Sequence, residues 1–231
     1  MGKLLVCEGL DASGKGTQIE LIKKYFLDNN IRYTSLHFPL YDITVAGKVI
    51  AAYLRGEYGD INEVDPIFVA NIYAMDRFLY LPTLKKQLEE FDVVLLDRYV
   101  FSNMAYQGAK FNTETQSLII RDWINEFEFG FLELPYPDLN IFFDVPLEII
   151  ETRLKEKRDG NDRKYLNGKT DIHEADIEFQ KKVRENYLSL RNYENFIVVN
   201  CTSEDPNDNF APYTPEGVFK QYKEQLKHAL I

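Results

Sequence analysis

The stretch that decides the fold runs from an apolar segment through a glycine-rich turn into a helix. It reads Leu4-Leu5-Val6-Cys7-Glu8-Gly9-Leu10-Asp11-Ala12-Ser13-Gly14-Lys15-Gly16-Thr17. The four apolar residues that open it predict a buried strand, and apolar positions between 19 and 26 recur at helical spacing. Between strand and helix, Gly9, Gly14 and Lys15 have the spacing GxxxxGK, which indicates a phosphate-binding loop.

The chemistry of this loop lies mainly in its backbone. Glycines let the chain curl so that successive N–H groups converge, and the helix that follows presents its positive N-terminus to the same point. Lys15 adds a full charge. Gly16 stands where Ser or Thr usually reaches Mg²⁺, so Thr17 is the expected hydroxyl on the metal side. The predicted phosphate-binding residues are Gly9, Asp11, Ala12, Ser13, Gly14, Lys15, Gly16 and Thr17.

Five short apolar runs look like strands that are buried on both faces. They are Leu4–Cys7, Tyr33–Phe38, Val93–Leu96, Leu139–Phe143 and Phe196–Val199. Helix-like stretches separate them, at 45–55, 64–90 with a break or kink at Pro82, 114–127, 147–157, 174–193 and 215–229. The alternation predicts a three-layer α/β/α fold with a five-stranded parallel sheet. We expect a single domain over residues 1–231.

Composition and charge bound the functions that the chain can have. The 27 Lys and Arg against 37 Asp and Glu give a net charge of −10, which disfavours nucleic acid and anionic membranes as partners. No apolar run approaches the roughly 20 residues of a transmembrane helix. Two cysteines cannot form a disulfide scaffold, so we expect a cytoplasmic protein. An anionic ligand would therefore need a local positive patch.

A second acidic strand end supports the phosphate site. Val93–Leu96 runs directly into Asp97-Arg98. Because ligands of open α/β sheets lie outside the carboxyl ends of the strands, Asp97 is placed to hold Mg²⁺ through water. The guanidinium of Arg98 can bind phosphoryl oxygens.

The local positive patch lies at residues 153–170. Seven Lys or Arg and three Asp or Glu give this window a charge of about +4 in a chain whose net charge is −10. This cluster of cations is the local positive patch that an anionic ligand would need.

Together these residues resemble the thymidylate kinase (dTMP kinase) family. The loop Glu8–Lys15 is similar to the family's EGxDxxGK, and Phe38-Pro39 follows the second strand as in some members. The stretch 73–78 resembles an aromatic-x-x-(Asp/Asn)-Arg element, and 97–107 resembles the DRY…S…AYQ run. Pro137-Asp138-Leu139 opens the fourth strand as the family's PDL does.

The resemblance implies phosphorylation of dTMP to dTDP, with ATP as donor, Mg²⁺ as cofactor and usually a homodimer. It implies that Asp11 binds the 3′-hydroxyl of the acceptor, that Tyr73 stacks on thymine, and that Arg77 contacts the base and the acceptor phosphate. Arg98 would contact the same phosphate. The remaining residues of the implied dTMP site are Phe38, Tyr41, Asn103, Tyr106 and Gln107. The implied metal-side residues are Thr17 and Asp97.

The family also implies where the catalytic cations lie. Some members carry a catalytic arginine in the phosphate loop directly after the acidic residue, where this chain has Ala12. The family's lid, a segment that closes over ATP and excludes water, falls here at about 153–172. This lid would then supply the catalytic arginine, and Arg158 and Arg163 are the candidates. They join Lys15 and Arg98 as the expected catalytic residues, whereas Arg153, at the base of the lid, is expected to bind the phosphates of ATP.

Two alternatives remain open from the sequence. One is a nucleoside monophosphate kinase of broader pyrimidine or adenylate specificity, which Gly16 allows because Gly-Lys-Gly-Thr resembles the loop of adenylate kinases. The other is a nucleotide-dependent switch protein, although the chain lacks the Asn-Lys-x-Asp element of guanine-selective switches.

Overall fold

The sheet of the protein is five-stranded and all-parallel. The computed structural model describes residues 1–155, 161–169, 171–174, 176–203 and 212–231. The strands are β1 (Lys3–Gly9), β2 (Tyr33–His37), β3 (Val93–Asp97), β4 (Leu139–Asp144) and β5 (Phe196–Asn200). Their order is β2-β3-β1-β4-β5, and every neighbouring pair is parallel. The predicted fold class and all five predicted strands are confirmed.

Helices follow the strands and cover both faces of the sheet. They are α1 (Lys15–Asp28), α2 (Val45–Leu54), α3 (Pro66–Glu90), α4 (Val100–Gly108), α5 (Glu114–Asn125), α6 (Leu147–Lys155), α7 (Ile177–Ser189) and α8 (Pro215–Ala229). Helix α1 packs against α8, whereas α4 packs against α3, α5 and α7. β1, β3 and β4 are almost entirely buried, which explains why their sequences are continuous apolar runs.

Local chemistry sets where several helices begin. Asp65 caps α3 by accepting hydrogen bonds from the N–H groups of Ile67 and Phe68, and Pro66 occupies the first helical position. Thr44, Thr113, Asp176 and Thr214 cap α2, α5, α7 and α8 in the same manner. These caps fix the helix starts close to where the sequence predicts them.

The structure differs from the sequence prediction at three helices. The sequence predicts a break or a kink at Pro82, and helix α3 continues through this residue without a break. Helix α5 runs on into a π-helical turn at Glu126–Phe131, which the helical period of 3.6 does not predict. Helix α4 was not predicted, because every one of its residues except Ser102 is buried and it therefore has no polar face.

Glu8 ties the end of β1 to the layer of helices above it. Its carboxylate is fully buried and accepts hydrogen bonds from the backbone N–H of Tyr99 and the hydroxyl of Tyr187, both at 3.0 Å. The hydroxyl of Ser102 donates to the same group. Burial raises the pKa of Glu8 above its ordinary value. One side chain therefore holds β1, α4 and α7 in fixed relation just before the glycine-rich loop begins.

Candidate active site

The predicted phosphate loop joins β1 to α1 at the edge of a large cavity. This cavity of about 660 Å³ lies at the carboxyl ends of the central strands. Gly14 has a φ of 85°, in the left-handed region that favours glycine, and α1 begins directly after it. The first N–H groups of a helix have no partners within it, and the residues of this first turn line the cavity. The loop therefore has the geometry of an anion site.

Lys15 and Asp97 meet at the base of the loop. The ammonium of Lys15 forms an ion pair with Asp97 Oδ1, and His37 Nδ1 lies 3.3 Å from Asp97 Oδ2. Burial acts to raise the pKa of Asp97, but the charge of Lys15 and the contact with His37 outweigh it and hold that pKa well below its usual range. A charged carboxylate thus lies beside the phosphate loop, as the sequence predicts.

Arg153 connects helix α6 to the loop. It belongs to α6, and its Nη1 donates to the backbone carbonyl of Ala12 at 3.0 Å. Arg158 and the side chain of Arg163, the two predicted catalytic residues of the lid, lie outside the described residues.

The cavity continues beyond the phosphate loop, and we call this continuation its second half. Arg98 lies there, held by the side chains of Asp11 and Tyr106. Its Nη2 donates to Asp11 Oδ1 at 2.9 Å, and its guanidinium lies 5.2 Å from the ring centroid of Tyr106. The Tyr106 hydroxyl donates to Asp11 Oδ2 at 3.2 Å. The backbone N–H of Arg98 donates to the carbonyl of Cys7 in β1. A cation is therefore fixed at the same sheet edge as Lys15.

Polar groups without partners also line this half of the cavity. Gln107 is buried, and neither its Nε2 nor its Oε1 has a hydrogen-bond partner among the residues that the structure describes. The same holds for Oδ1 of Asn103. Both residues belong to the cavity wall, although these atoms themselves have almost no exposed surface. Tyr73 lines the cavity beside them.

Three predicted site residues do not line the cavity. Phe38 is buried and packs edge-on against Tyr80. Arg77 is buried and forms a bidentate ion pair with Glu128. Gly9 ends β1 and lies beneath the loop, where a Cβ atom would come within 2.7 Å of Ser13 Oγ. The other described residues of the predicted site lie in the cavity wall.

The described part of the segment predicted to be a lid lines the second half of the cavity. We call residues 164–169 and 171–174 the strap. Tyr165 stacks on Tyr41 with 4.0 Å between ring centroids, and its hydroxyl donates to Asp171 at 2.7 Å. The N–H of Ile172 donates to the carbonyl of Leu54 at the end of α2. Burial and the Asp11 carboxylate raise the pKa of Asp171 to about 7.

Sequence analysis did not identify several residues of the cavity wall. His173 of the strap lies in the wall, and its Nε2 shares a hydrogen bond with the hydroxyl of Tyr53 at 3.2 Å. At the opposite end, near the first turn of α8, the wall is formed by Cys201, Pro212, Tyr213, Pro215 and Val218. These residues have no common motif, and nothing in their spacing connects them to the phosphate loop.

The described residues contain no group of three or more His, Cys, Asp or Glu that could hold a metal ion by themselves. The hydroxyl of Thr17 and the carboxylate of Asp97 both line the cavity, and such oxygens are the donors that Mg²⁺ prefers. Because Mg²⁺ in phosphoryl-transfer sites is bound by few protein groups together with substrate phosphates, the residues present fit this ion.

Among the described helices, none is long and apolar enough to cross a membrane.

A phosphate loop that shares one cavity with a second cationic, aromatic and amide-lined compartment defines a phosphate-loop kinase of nucleoside monophosphates. Residues 7–209 match the family model for thymidylate kinase. The chain belongs to the thymidylate kinase family. It is an enzyme that phosphorylates dTMP.

Individual relatives agree with this assignment. The chain is 32% identical to the thymidylate kinase of Mycobacterium tuberculosis over 81% of its own length and 85% of the relative. It is also 32% identical to a probable thymidylate kinase of Saccharolobus solfataricus, over 90% of its own length and 93% of that relative. The solved thymidylate kinase of Candida albicans has the same fold, with a TM-score of 0.72 at 24% identity, and the match covers 100% of this chain and 94% of that one.

Proposed function

We propose that the cavity holds ATP and dTMP end to end, with the ATP phosphates in the β1–α1 loop and the dTMP phosphate at Arg98. The observation that carries this proposal is the placement of Lys15 and Arg98. Each follows one of two adjacent parallel strands, and both line the same cavity. Two fixed cations suit a reaction in which two phosphate groups must be brought together against their mutual repulsion.

In this mechanism the acceptor needs no general base. The phosphate of dTMP is already anionic, so in-line attack on the γ-phosphoryl group depends on positioning and on charge neutralisation. Lys15 neutralises the donor phosphates and Arg98 the acceptor phosphate. Arg153 steadies the loop through the carbonyl of Ala12. We assign the remaining catalytic cation to Arg158 or Arg163 of the lid.

Thr17 and Asp97 are the residues that we expect to hold Mg²⁺ together with the phosphates of ATP. When bound, this ion would offset the negative charge of the transferring group. In the structure Lys15 pairs with Asp97, so the ammonium is already at the base of the loop and exchanges a carboxylate for phosphate oxygens.

The acceptor nucleoside would lie between the ring of Tyr73 and the amides of Asn103 and Gln107. Asp11 would accept the 3′-hydroxyl while it holds Arg98, and Tyr41 and Tyr106 would close the sides. Phe38 and Arg77 lie behind this wall, so we assign them to its support. At the other end, the wall formed by Cys201, Pro212, Tyr213, Pro215 and Val218 is the place that we propose for adenine.

We also propose that two copies of the chain associate through α3. Five large apolar side chains of this helix are between 40% and 52% exposed, namely Ile67, Phe68, Met75, Phe78 and Leu79. Their positions place them on one face of the helix. The Phe78→Glu variant should shift the sedimentation of the protein from dimer to monomer, whereas Leu27→Glu on the exposed side of α1 should not. A monomeric wild type would contradict this assignment.

The experiment that tests the function is a coupled assay of ADP release with ATP and Mg²⁺. It is run over dTMP, dUMP, dCMP and AMP as acceptors. We expect dTMP to give the highest kcat/KM. Comparable rates on AMP would favour the broader kinase, and slow turnover that does not depend on any acceptor would favour a nucleotide-dependent switch.

A further inference from the structure

A buried histidine of the strap lies beside the residues that we assign to the acceptor nucleotide. His173 is 4% exposed and lines the second half of the cavity. The centroid of its ring lies 5.2 Å from that of Tyr106, and the charges of Asp11 and Arg98 both act on it. No step of the proposed phosphoryl transfer uses this side chain.

The backbone of His173 is held on both sides, so its ring has a fixed position. Its N–H donates to Asp171 Oδ1 at 2.8 Å, and its carbonyl accepts a hydrogen bond from Gln180 Nε2 at 2.7 Å. The ring packs edge-on against Tyr53, with 5.6 Å between centroids, and against Phe179 at 5.2 Å. A side chain that is locked in this way can direct a hydrogen bond at one point.

A chain of hydrogen bonds through Tyr53 decides which nitrogen of the ring carries the hydrogen. Lys110 Nζ donates to the Tyr53 hydroxyl at 2.7 Å, and this hydroxyl lies 3.2 Å from His173 Nε2. Because an ammonium has only donors, the hydroxyl oxygen accepts from Lys110 and its own hydrogen points away from it. Among the described residues no third group bonds to this hydroxyl, so its hydrogen goes to Nε2. Nε2 is therefore the nitrogen without a hydrogen.

A neutral ring that accepts at Nε2 carries its hydrogen on Nδ1. Burial, together with the charge of Lys110, lowers the pKa of His173 well below its ordinary value, so the ring is neutral. Within the described part of the chain Nδ1 has no hydrogen-bond partner, and it retains accessible surface. Since the residue lines the cavity, Nδ1–H is a donor that a bound nucleotide can reach.

We propose that Nδ1 of His173 donates a hydrogen bond to the 3′-hydroxyl of the acceptor nucleotide, and that Lys110 fixes this polarity through Tyr53. The inference rests on the proposed function, in which Asp11 accepts the hydrogen of the same hydroxyl. A hydroxyl donates one hydrogen bond and also accepts, so a carboxylate and an Nδ1–H together satisfy both capacities. His173 is then a binding residue, and Lys110 and Tyr53 are positioning residues.

This arrangement would distinguish nucleotides by their 3′ position. A 3′-deoxy analogue would leave Nδ1–H of His173 without an acceptor in a largely buried place, which is costly. Lys110 does not line the cavity, and it contributes only by fixing the direction of the Tyr53 hydroxyl. Without the ammonium this hydroxyl could turn either way, and the histidine could carry its hydrogen on either nitrogen.

The first test locates the hydrogen by nitrogen NMR of the imidazole rings at about pH 6. Burial lowers the pKa of Lys110 to about 7, although Asp65 opposes the shift, so the ammonium is retained at this pH. The chain has three histidines, and His173→Phe identifies the signals of this one. We expect a protonated Nδ1 and a bare Nε2 in the wild type, and a mixture of both forms in Lys110→Met.

Either of two results would overturn the inference at this stage. One is a protonated Nε2 in the wild type, and the other is a spectrum without mixing in Lys110→Met. If Lys110→Met does not unfold cooperatively, Tyr53→Phe takes its place, because it interrupts the same chain of hydrogen bonds, and the same mixing is expected.

The second test measures the dissociation constants of dTMP and of 2′,3′-dideoxythymidine 5′-monophosphate by calorimetry. We expect the preference for dTMP to fall about fivefold in His173→Phe, which keeps a ring but loses the donor, and about threefold in Lys110→Met. It should be retained within about twofold in His173→Asn, whose amide nitrogen is as many bonds from Cβ as Nδ1. Lys48→Met, at an exposed position of α2, is the control and should keep the preference of the wild type.

The same measurements contain the outcomes that contradict the assignment. An unchanged preference in a folded His173→Phe, or an equal loss of affinity for both nucleotides, would mean that His173 only packs the strap and would overturn the inference. If that variant does not unfold cooperatively, His173→Gln takes its place, since its amide reaches the position of Nε2 and supplies no donor at Nδ1, and the same fall is expected. A wild type that does not phosphorylate dTMP would instead refute the proposed function.

Discussion

The two halves of the cavity are built in different ways. The part of the donor half that we propose for the phosphates is made mainly of backbone, with a curled loop and a helix N-terminus between residues 9 and 17. The acceptor half is made of side chains from distant parts of the chain, such as the pairs Arg98–Asp11 and Tyr165–Tyr41. A site made of backbone is encoded in one short motif. A site made of side-chain networks depends on how the rest of the protein packs.

The comparison predicts that the largest loss of activity from a single substitution occurs in the donor half. Lys15→Ala removes the positive side-chain charge of the loop, so we expect kcat/KM for dTMP to fall at least about 10³-fold, or about 4 kcal/mol. Unfolding should remain cooperative, because the loop is held by its backbone. Lys24→Ala, at an exposed position of the same helix, is the control and should retain activity. Near-normal turnover in Lys15→Ala would remove the loop from the mechanism.

The next largest loss of activity is expected on substitution of Arg98, whose guanidinium lies at the centre of the acceptor half. Arg98→Ala should cost at least about 2 kcal/mol in kcat/KM, since a charged contact to a phosphate is lost. Steady-state kinetics with dTMP varied at saturating ATP measures this. The exposed Arg32, which pairs with Asp92 far from the cavity, supplies the control variant Arg32→Ala. An unchanged kcat/KM in Arg98→Ala would exclude the proposed acceptor contact.

A pH experiment sharpens the comparison, because the strap contains a buried carboxyl whose pKa is raised to about 7. The folded protein then keeps a proton on Asp171 that the unfolded chain releases above about pH 4. The free energy of unfolding should therefore decrease between pH 5 and 7, with about 2 kcal/mol of the decrease due to this group. Asp171→Asn should lack that part of the decrease.

Urea unfolding at both pH values measures the difference between the two proteins. Asp42→Asn, a change at an exposed carboxyl, is the control, and its free energy of unfolding should change with pH as that of the wild type does. Parallel pH profiles for the wild type and Asp171→Asn would contradict the assignment.

The smallest effect is expected where the strap touches the acceptor wall. Tyr165→Ala removes the stack on Tyr41, and we expect KM for dTMP to rise about fivefold, or about 1 kcal/mol. Tyr165→Phe keeps the ring and loses only the hydroxyl bond to Asp171, so its KM should lie closer to that of the wild type. If both variants have the same KM as the wild type, the strap does not contribute to the acceptor site.

Much of the architecture could be predicted from the sequence, for reasons that are local. The strands β1, β3 and β4 are nearly continuous apolar runs because the centre of the sheet is covered on both faces, and GxxxxGK describes a turn whose geometry its own residues determine. Helix α4 could not be found in this way, because a helix that is buried all round shows no amphipathic period. Its cavity residues, Asn103, Tyr106 and Gln107, were identified only through the family resemblance.

The acceptor half shows the limit of such prediction most clearly. Arg77 was predicted to contact the nucleotide, but the structure pairs it with Glu128, which lies 51 residues away and in a turn of unusual register. Tyr165, Asp171 and His173 enter the cavity because the strap docks on the end of α2. Contacts of this kind follow from the packing of distant elements, which neither spacing nor composition describes.

The buried carboxylate of Glu8 has a consequence for protein engineering. Its three partners, the N–H of Tyr99 and the hydroxyls of Ser102 and Tyr187, come from segments more than 90 residues further along the chain. A glycine-rich loop grafted with this glutamate into a foreign sheet would bring an unsatisfied acid into an apolar layer. Transplanting the loop would therefore require the three distant donors as well, or an apolar residue in place of the glutamate.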